Sequence, residues 1–161
     1  LQQKRRISTL LIVMIFLCMF AVGLLHYQDY GVSVDELVQR QHSLISYKYI
    51  MKQLFGRDVK ELSEYPDLPE YQYRNYGTFL QMPMVFLEDF HNFQTDLGDV
   101  LRTRHLITFI YCFIGYLCFY WMGNRVFRNR WIALLGSLML YLYPRFFATQ
   151  FFYIKDMLFT A

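Results

Sequence analysis

Residues 7–25, ISTLLIVMIFLCMFAVGLL, run for nineteen positions without a charged side chain. A helix crossing the hydrocarbon core of a bilayer needs roughly 17–25 predominantly apolar residues, so this stretch reads as a transmembrane span. Two more follow. Leu106–Met122 gives seventeen uncharged residues inside a span set at 105–122, and 131–147 gives a third, interrupted near its end by Pro144 and Arg145. Residues 157–161 read as the start of a further span. The chain opens on Leu1 rather than Met and closes inside an apolar run, which reads as the N-terminal part of a longer protein. A cleaved signal peptide is the rival reading of residues 1–25, with AVG at 21–23 as a small-residue cleavage site. The apolar stretch is long for a signal core and continues through Leu24 and Leu25.

At 55% hydrophobic and 20% aromatic, the composition gathers its apolar residues into these runs rather than into an amphipathic rhythm. The fold class expected is all-α, a multi-span transmembrane helix bundle. The net charge of +3 hides a segregation that sets its orientation. Lys4, Arg5 and Arg6 precede the first run, and Arg125, Arg128 and Arg130 fill the link 123–130, with no acid in either place. Twelve of the thirteen acidic residues lie between Tyr27 and Arg104. By the positive-inside rule, residues 1–6 and the basic link 123–130 are cytoplasmic, and the long segment 26–104 and the short loop 148–156 are outside.

Several function classes are excluded or left without a signal. Cys18, Cys112 and Cys118 all fall inside predicted spans, and the histidines at 26, 42, 91 and 105 are scattered, so no metal ligand set is assigned. There is no phosphate-binding glycine loop, nucleophile elbow or internal repeat. The few basic residues lie close to the bilayer and give no nucleic-acid surface.

The loop 26–104 is too apolar and aromatic for a linker. From Val34 to Phe55 apolar residues recur at roughly helical spacing until Gly56 stops them. A polar, Pro-containing excursion follows, and then a second apolar stretch, GTFLQMPMVFLEDFHNF, at 77–93. Helices at about 34–55 and 77–93 are expected to be amphipathic and to lie in the membrane interface. A bland role, capping the spans, fits the periodicity equally well.

The first of these helices opens on SVDE, residues 33–36, a capping box in which Ser33 and Glu36 each satisfy the other's backbone amide. Both Asp35 and Glu36 suit the positive end of the helix dipole, and Glu36 with Arg40 has the spacing of an i,i+4 surface pair. Glu36 therefore reads as structural. Asp35 has Gln39 and His42 at i+4 and i+7 and no basic partner at helical spacing, so it is a candidate general base. A second constellation, YPRFFATQFFYIKDM at 143–157, places Arg145, Lys155 and Asp156 near the outer end of the third span. Ionisable residues near membrane depth point to function, although Arg145 and Lys155 could equally snorkel to head groups. Cations and carboxylates on one side of a membrane suit an anionic, lipid-borne substrate.

The stretches DYGVSVDE, RTRHLITFIYCFIG and YPRFFATQFFYIKD, in that order around a basic link, resemble the integral-membrane glycosyltransferases of the GT-C class. Within that class the chain is similar to family 39, which includes the protein mannosyltransferases and the lipid A aminoarabinose transferase, and looks like its bacterial branch. The resemblance implies a GT-C type bundle in a bacterial inner membrane with its active site on the periplasmic face. The activity it implies is inverting transfer of a sugar from a polyprenyl-phosphate donor to a lipid, polysaccharide or protein acceptor. Asp35 would then be the catalytic base, with Glu36 and Asp156 shaping the site. Lys155, Arg145, Arg74 and Arg40 would serve the donor phosphate. Metal dependence varies across the class, so a divalent metal is compatible and none is assigned. The protein mannosyltransferases carry a His-Pro-Pro-Leu-Gly-Lys-like segment after the acidic pair, where this chain has YRNYGTFLQMP. That departure leaves the sugar and acceptor open.

Two other readings stand beside it: a non-catalytic scaffold of the same fold, and a lipid or ion transporter. Against transport, the three complete spans carry no acidic residue, and their one charge is Arg145. If the transferase reading holds, Asp35 and Asp156 should line one cavity within roughly 15 Å of each other.

Overall fold

The computed structural model describes residues 2–93 and 95–152. Among them it is all-helical, without a strand: α1 (Gln2–His26), α2 (Val34–Phe55), α3 (Met82–Phe90), α4 (Leu97–Phe127), α5 (Arg130–Leu142) and α6 (Pro144–Thr149). Three short 3₁₀ turns lie between α2 and α3, at Lys60–Leu62, Leu68–Glu70 and Phe79–Gln81. The chain divides into two compact units, a loop unit of Gly31–Arg104 and a span unit of Leu1–Tyr30 with His105–Ala161.

Two helices are long and apolar enough to cross a membrane, α1 over Arg6–His26 and α4 over Leu97–Phe127. In the span unit Ile12, Phe16 and Met19 of α1 pack with Cys112 and Tyr116 of α4 and with Leu134 and Tyr141 of α5. The Tyr141 hydroxyl donates to the Met19 carbonyl at 2.8 Å. Gly23 makes one close approach possible: a Cβ there would lie 2.0 Å from the Phe109 ring. Leu10, Val13, Met14 and Leu17 point outward and are exposed.

The third expected span is broken. α5 has thirteen residues, a rise of about 20 Å, which is short of a bilayer core of roughly 30 Å. The cause is Pro144: its ring disfavours helical geometry at the preceding residue, and Tyr143 adopts φ −65°, ψ 119° before α6 restarts on the proline. The basic link also shrinks. α4 runs on through Phe127, leaving Arg128, at φ 50°, and Asn129 to turn the chain. The Asn129 side chain caps α5 by accepting from the Trp131 and Ile132 amides at 3.0 and 3.4 Å.

In the loop unit α2 has the expected bounds. Its capping box is closed, and Gly56 ends it in the left-handed conformation at φ 62°, which glycine adopts without strain. Its burial is not that of an interfacial helix, because His42 through Tyr47 are buried in unbroken succession. Leu44 and Tyr47 form a core with Val59, Leu62 and Val85, so the excursion 57–76 folds back onto α2. α3 is shorter than the expected 77–93; Thr78 and the 3₁₀ turn precede it, and Pro83 lies in its first turn, where a missing amide costs nothing.

Candidate functional site

α3 buries its two acids beside Met84 and Val85 and leaves its phenylalanines outside. Glu88 and Asp89 face inward and are buried, whereas Phe79, Phe86 and Phe90 are 85%, 59% and 75% exposed. The inward carboxylates organise the loop unit. Glu88 Oε2 accepts from Arg40 Nε at 3.0 Å and Nη2 at 2.7 Å, and its Oε1 accepts from Arg104 Nη1 at 2.9 Å. Arg104 Nη2 donates to Gln81 Oε1 at 3.2 Å, and Gln81 Nε2 to Gln39 Oε1 at 3.0 Å. One carboxylate thus joins α2, α3 and the start of α4. Asp89 makes a bidentate pair with Arg57, at 2.7 and 2.9 Å, and accepts from the Tyr47 hydroxyl at 2.8 Å. Burial, reinforced by that bond, pushes the Tyr47 phenol up from its usual range, so it stays a proton donor to Asp89. A third tie is exposed: Lys48 donates to the Tyr65 carbonyl at 2.7 Å and pairs with Asp67 at 2.9 Å.

Against this frame the two carboxylates that open α2 part company. Glu36 is buried, its Oε2 accepting from the Ser33 amide at 3.0 Å. Asp35 is exposed, and among the described residues no hydrogen bond or ion pair engages it. The surface pair expected of Glu36 and Arg40 gives way to a different arrangement: Glu36 is inside, and the carboxylate bonded to Arg40 is Glu88, 48 residues along the chain. Arg40 is thus engaged through Nε and Nη2 by a carboxylate of its own unit. Arg74 is exposed, with Nη1 donating to the Pro69 carbonyl at 2.8 Å, and the rest of its guanidinium faces outward. Arg145 is exposed in the first turn of α6, in the span unit. Lys155 and Asp156 lie outside the described residues, and with them the expected approach of Asp156 to Asp35.

Sequence reasoning passed over Glu88, Asp89, Gln81 and Arg104. A signal was there for the first two, since LEDF places adjacent carboxylates inside an otherwise apolar helix, where an unpaired charge would be costly.

A second cluster lies two turns beyond Asp35 on α2. The buried His42 ring is met by Tyr71, Tyr73 and Tyr76 at centroid distances of 5.5, 5.4 and 4.7 Å. Its Nδ1 is 2.7 Å from the Tyr71 hydroxyl. Burial, with a smaller contribution from Tyr73, raises the Tyr71 phenol above its usual range. In the span unit, an almost wholly apolar groove of about 610 Å³ lies between α1 and the α5–α6 corner, lined among others by Met14, Cys18, Leu138, Leu142 and Phe147. Among the described residues no group of three or more His, Cys, Asp or Glu side chains is placed to hold a metal ion.

Compared with the families of known proteins, with curated proteins and with solved structures, the chain has no match.

Proposed function

We propose that the chain is part of a multi-pass membrane glycosyltransferase of the GT-C type. It would move a sugar from a polyprenyl-phosphate donor to an acceptor on the outer face, with Asp35 as general base. The observation that carries this reading is the division of labour at the start of α2. Glu36 is buried and committed to the capping box, whereas the neighbouring Asp35 is exposed and unengaged. A carboxylate that folding does not use, fixed on the first turn of a helix held by the Glu88 network, is free to take the acceptor's proton. Arg74, exposed in the same unit, suits the departing phosphate. The apolar groove beside α1 suits a polyprenyl chain.

The outward face of α3 fits the same setting. Each exposed phenylalanine leaves on the order of 2 kcal/mol of burial unrealised in water, and the membrane interface recovers it. α3 is joined to α4, one of the two long apolar helices, by only the residues between Phe90 and Leu97, so it lies within reach of the bilayer surface. The third crossing would then use α5 together with α6.

The test is transfer from a labelled polyprenyl-phosphate sugar in membranes holding the full chain. Asp35→Asn keeps size and hydrogen bonding but cannot take up a proton. It is expected to insert normally and lose about 10²–10⁴-fold in turnover. Glu36→Gln still accepts from the Ser33 amide and should retain measurable transfer. Near-normal turnover of the Asn variant would remove Asp35 as the base and leave a helix-start charge.

A further inference from the structure

The turn carrying Tyr71, Tyr73 and Tyr76 packs all three rings against His42. The Tyr71 hydroxyl lies 2.7 Å from His42 Nδ1. Tyr73 and Tyr76 rest against the same imidazole yet keep 54% and 43% of their surface exposed. Two successive backbone turns fix them, the Arg74 amide donating to the Tyr71 carbonyl at 3.1 Å and the Tyr76 amide to the Tyr73 carbonyl at 2.9 Å. Half-exposed aromatic rings, held in place before any ligand arrives, offer contact area at little entropic cost.

We infer that Tyr73 and Tyr76, braced on His42, form a subsite that binds the pyranose ring of a sugar. The face of a tyrosine ring is electron-rich and attracts the C–H groups on the apolar face of a pyranose, while the phenol at its edge can meet a sugar hydroxyl. The exposed side chains of Gln72, Arg74 and Asn75 supply further polar partners along the same turn. Position supports the assignment. His42 is seven residues from Asp35 on one helix, so the two lie on nearly the same side and about 10 Å apart along the axis. That is close enough for a sugar on the tyrosines to belong to the molecule whose reacting end meets Asp35. The inference rests on the transferase reading for its place in a reaction, but sugar binding itself can be tested without turnover.

The experiment is saturation-transfer NMR on the full chain in nanodiscs. The probes are the methyl α-pyranosides of mannose, glucose and galactose at millimolar concentration. The wild-type protein should transfer saturation to the ring protons of at least one of them. Tyr73→Phe with Tyr76→Phe keeps both ring faces and should keep the signal. Tyr73→Leu with Tyr76→Leu keeps apolar bulk without a π face and should weaken the signal at least tenfold. Silence from all three sugars, or an undiminished signal in the Leu pair, overturns the subsite. Should the Leu pair fail to fold, ¹³C-labelled tyrosine in the wild type decides the matter. Sugar-induced shifts at the Tyr73 and Tyr76 rings support the subsite, and shifts confined to other tyrosines refute it. Sugar binding by a wild-type protein that transfers nothing would sink the transferase reading alone, and transfer that survives in the Leu pair would sink the subsite alone.

Discussion

Both units have an apolar core, but they differ in what else they bury. In the span unit the centre is apolar and aromatic, with Phe16, Cys112, Tyr116 and Leu134 packed together and more apolar side chains facing out. In the loop unit α3 turns its phenylalanines outward and drives Glu88 and Asp89 inward onto three arginines. Apolar packing tolerates many partners of the right size, whereas a buried carboxylate demands particular cations at particular distances. The contrast teaches where specificity resides. The unit that carries Asp35 is fixed by directional bonds, so Asp35 has a defined place relative to its neighbours without making a bond of its own.

The sharpest way to break this contrast is at Glu88. Glu88→Ala leaves Arg104 buried beside an empty site and Arg40 without its carboxylate. Removing one partner of a buried ion pair costs about 3–5 kcal/mol. Hydrogen exchange followed by mass spectrometry should show the amides of α2 and α3 losing protection while those of α1 keep theirs. Equal loss in both units would mean that the network stabilises the whole chain rather than the loop unit.

The span unit should fail by crowding instead. Gly23→Ala places a methyl group 2.0 Å from the Phe109 ring, so the ring or α1 must move, an overpacking cost of about 1–3 kcal/mol. A thermal melt in detergent should fall, and a compensating Phe109→Leu should restore part of the loss. A Gly23→Ala protein as stable as the wild type would show that the helix contact is loose.

How much of this was legible follows the range of the interaction. The ends of α2 were readable because their causes are local: Ser33 and Glu36 are three residues apart, and Gly56 needs only its own φ. Pro144 was visible as an interruption, and its consequence, a helix ending at Leu142, is local as well. The Arg40–Glu88 pair was not readable, because nearest-neighbour spacing offered Glu36 first and nothing in the sequence links positions 48 residues apart. Periodicity failed at α2 for a related reason. It assumes one buried face, but a chain that folds back over a helix buries successive residues all round. At α3 the adjacent carboxylates of LEDF stood in the sequence, but the arginines they meet lie far along the chain and were not readable. Asp35 was readable as a helix-start charge without a basic partner at helical spacing, but that no described residue from farther along the chain engages it is visible only in the fold.

A smaller perturbation separates the local part of the loop unit from its long-range frame. Ser33→Ala removes one side-chain acceptor at the start of α2 and should cost about 1 kcal/mol. Exchange should quicken in the first turn of α2 and leave α3 unchanged, since the Glu88 network would still hold the helix body.

The smallest effect distinguishes an exposed tie from the buried ones, and it depends on pH. Lys48, by hydrogen bond first and by charge second, lowers the Asp67 carboxyl below its ordinary 3.8, and the charge of Lys52 adds to this. A carboxylate whose folded pKa is depressed adds stability that is fully present above its unfolded pKa and is lost as the pH falls through the folded one. The Lys48–Asp67 contribution should therefore hold at neutral pH and disappear only below about pH 4. Because Asp67 is largely exposed, solvent screens the pair and its worth is small. In Asp67→Asn protein the acid end of the stability profile should flatten slightly, with little change at pH 7. A large loss at neutral pH would show that this tie, rather than the buried carboxylates of α3, holds the excursion against α2.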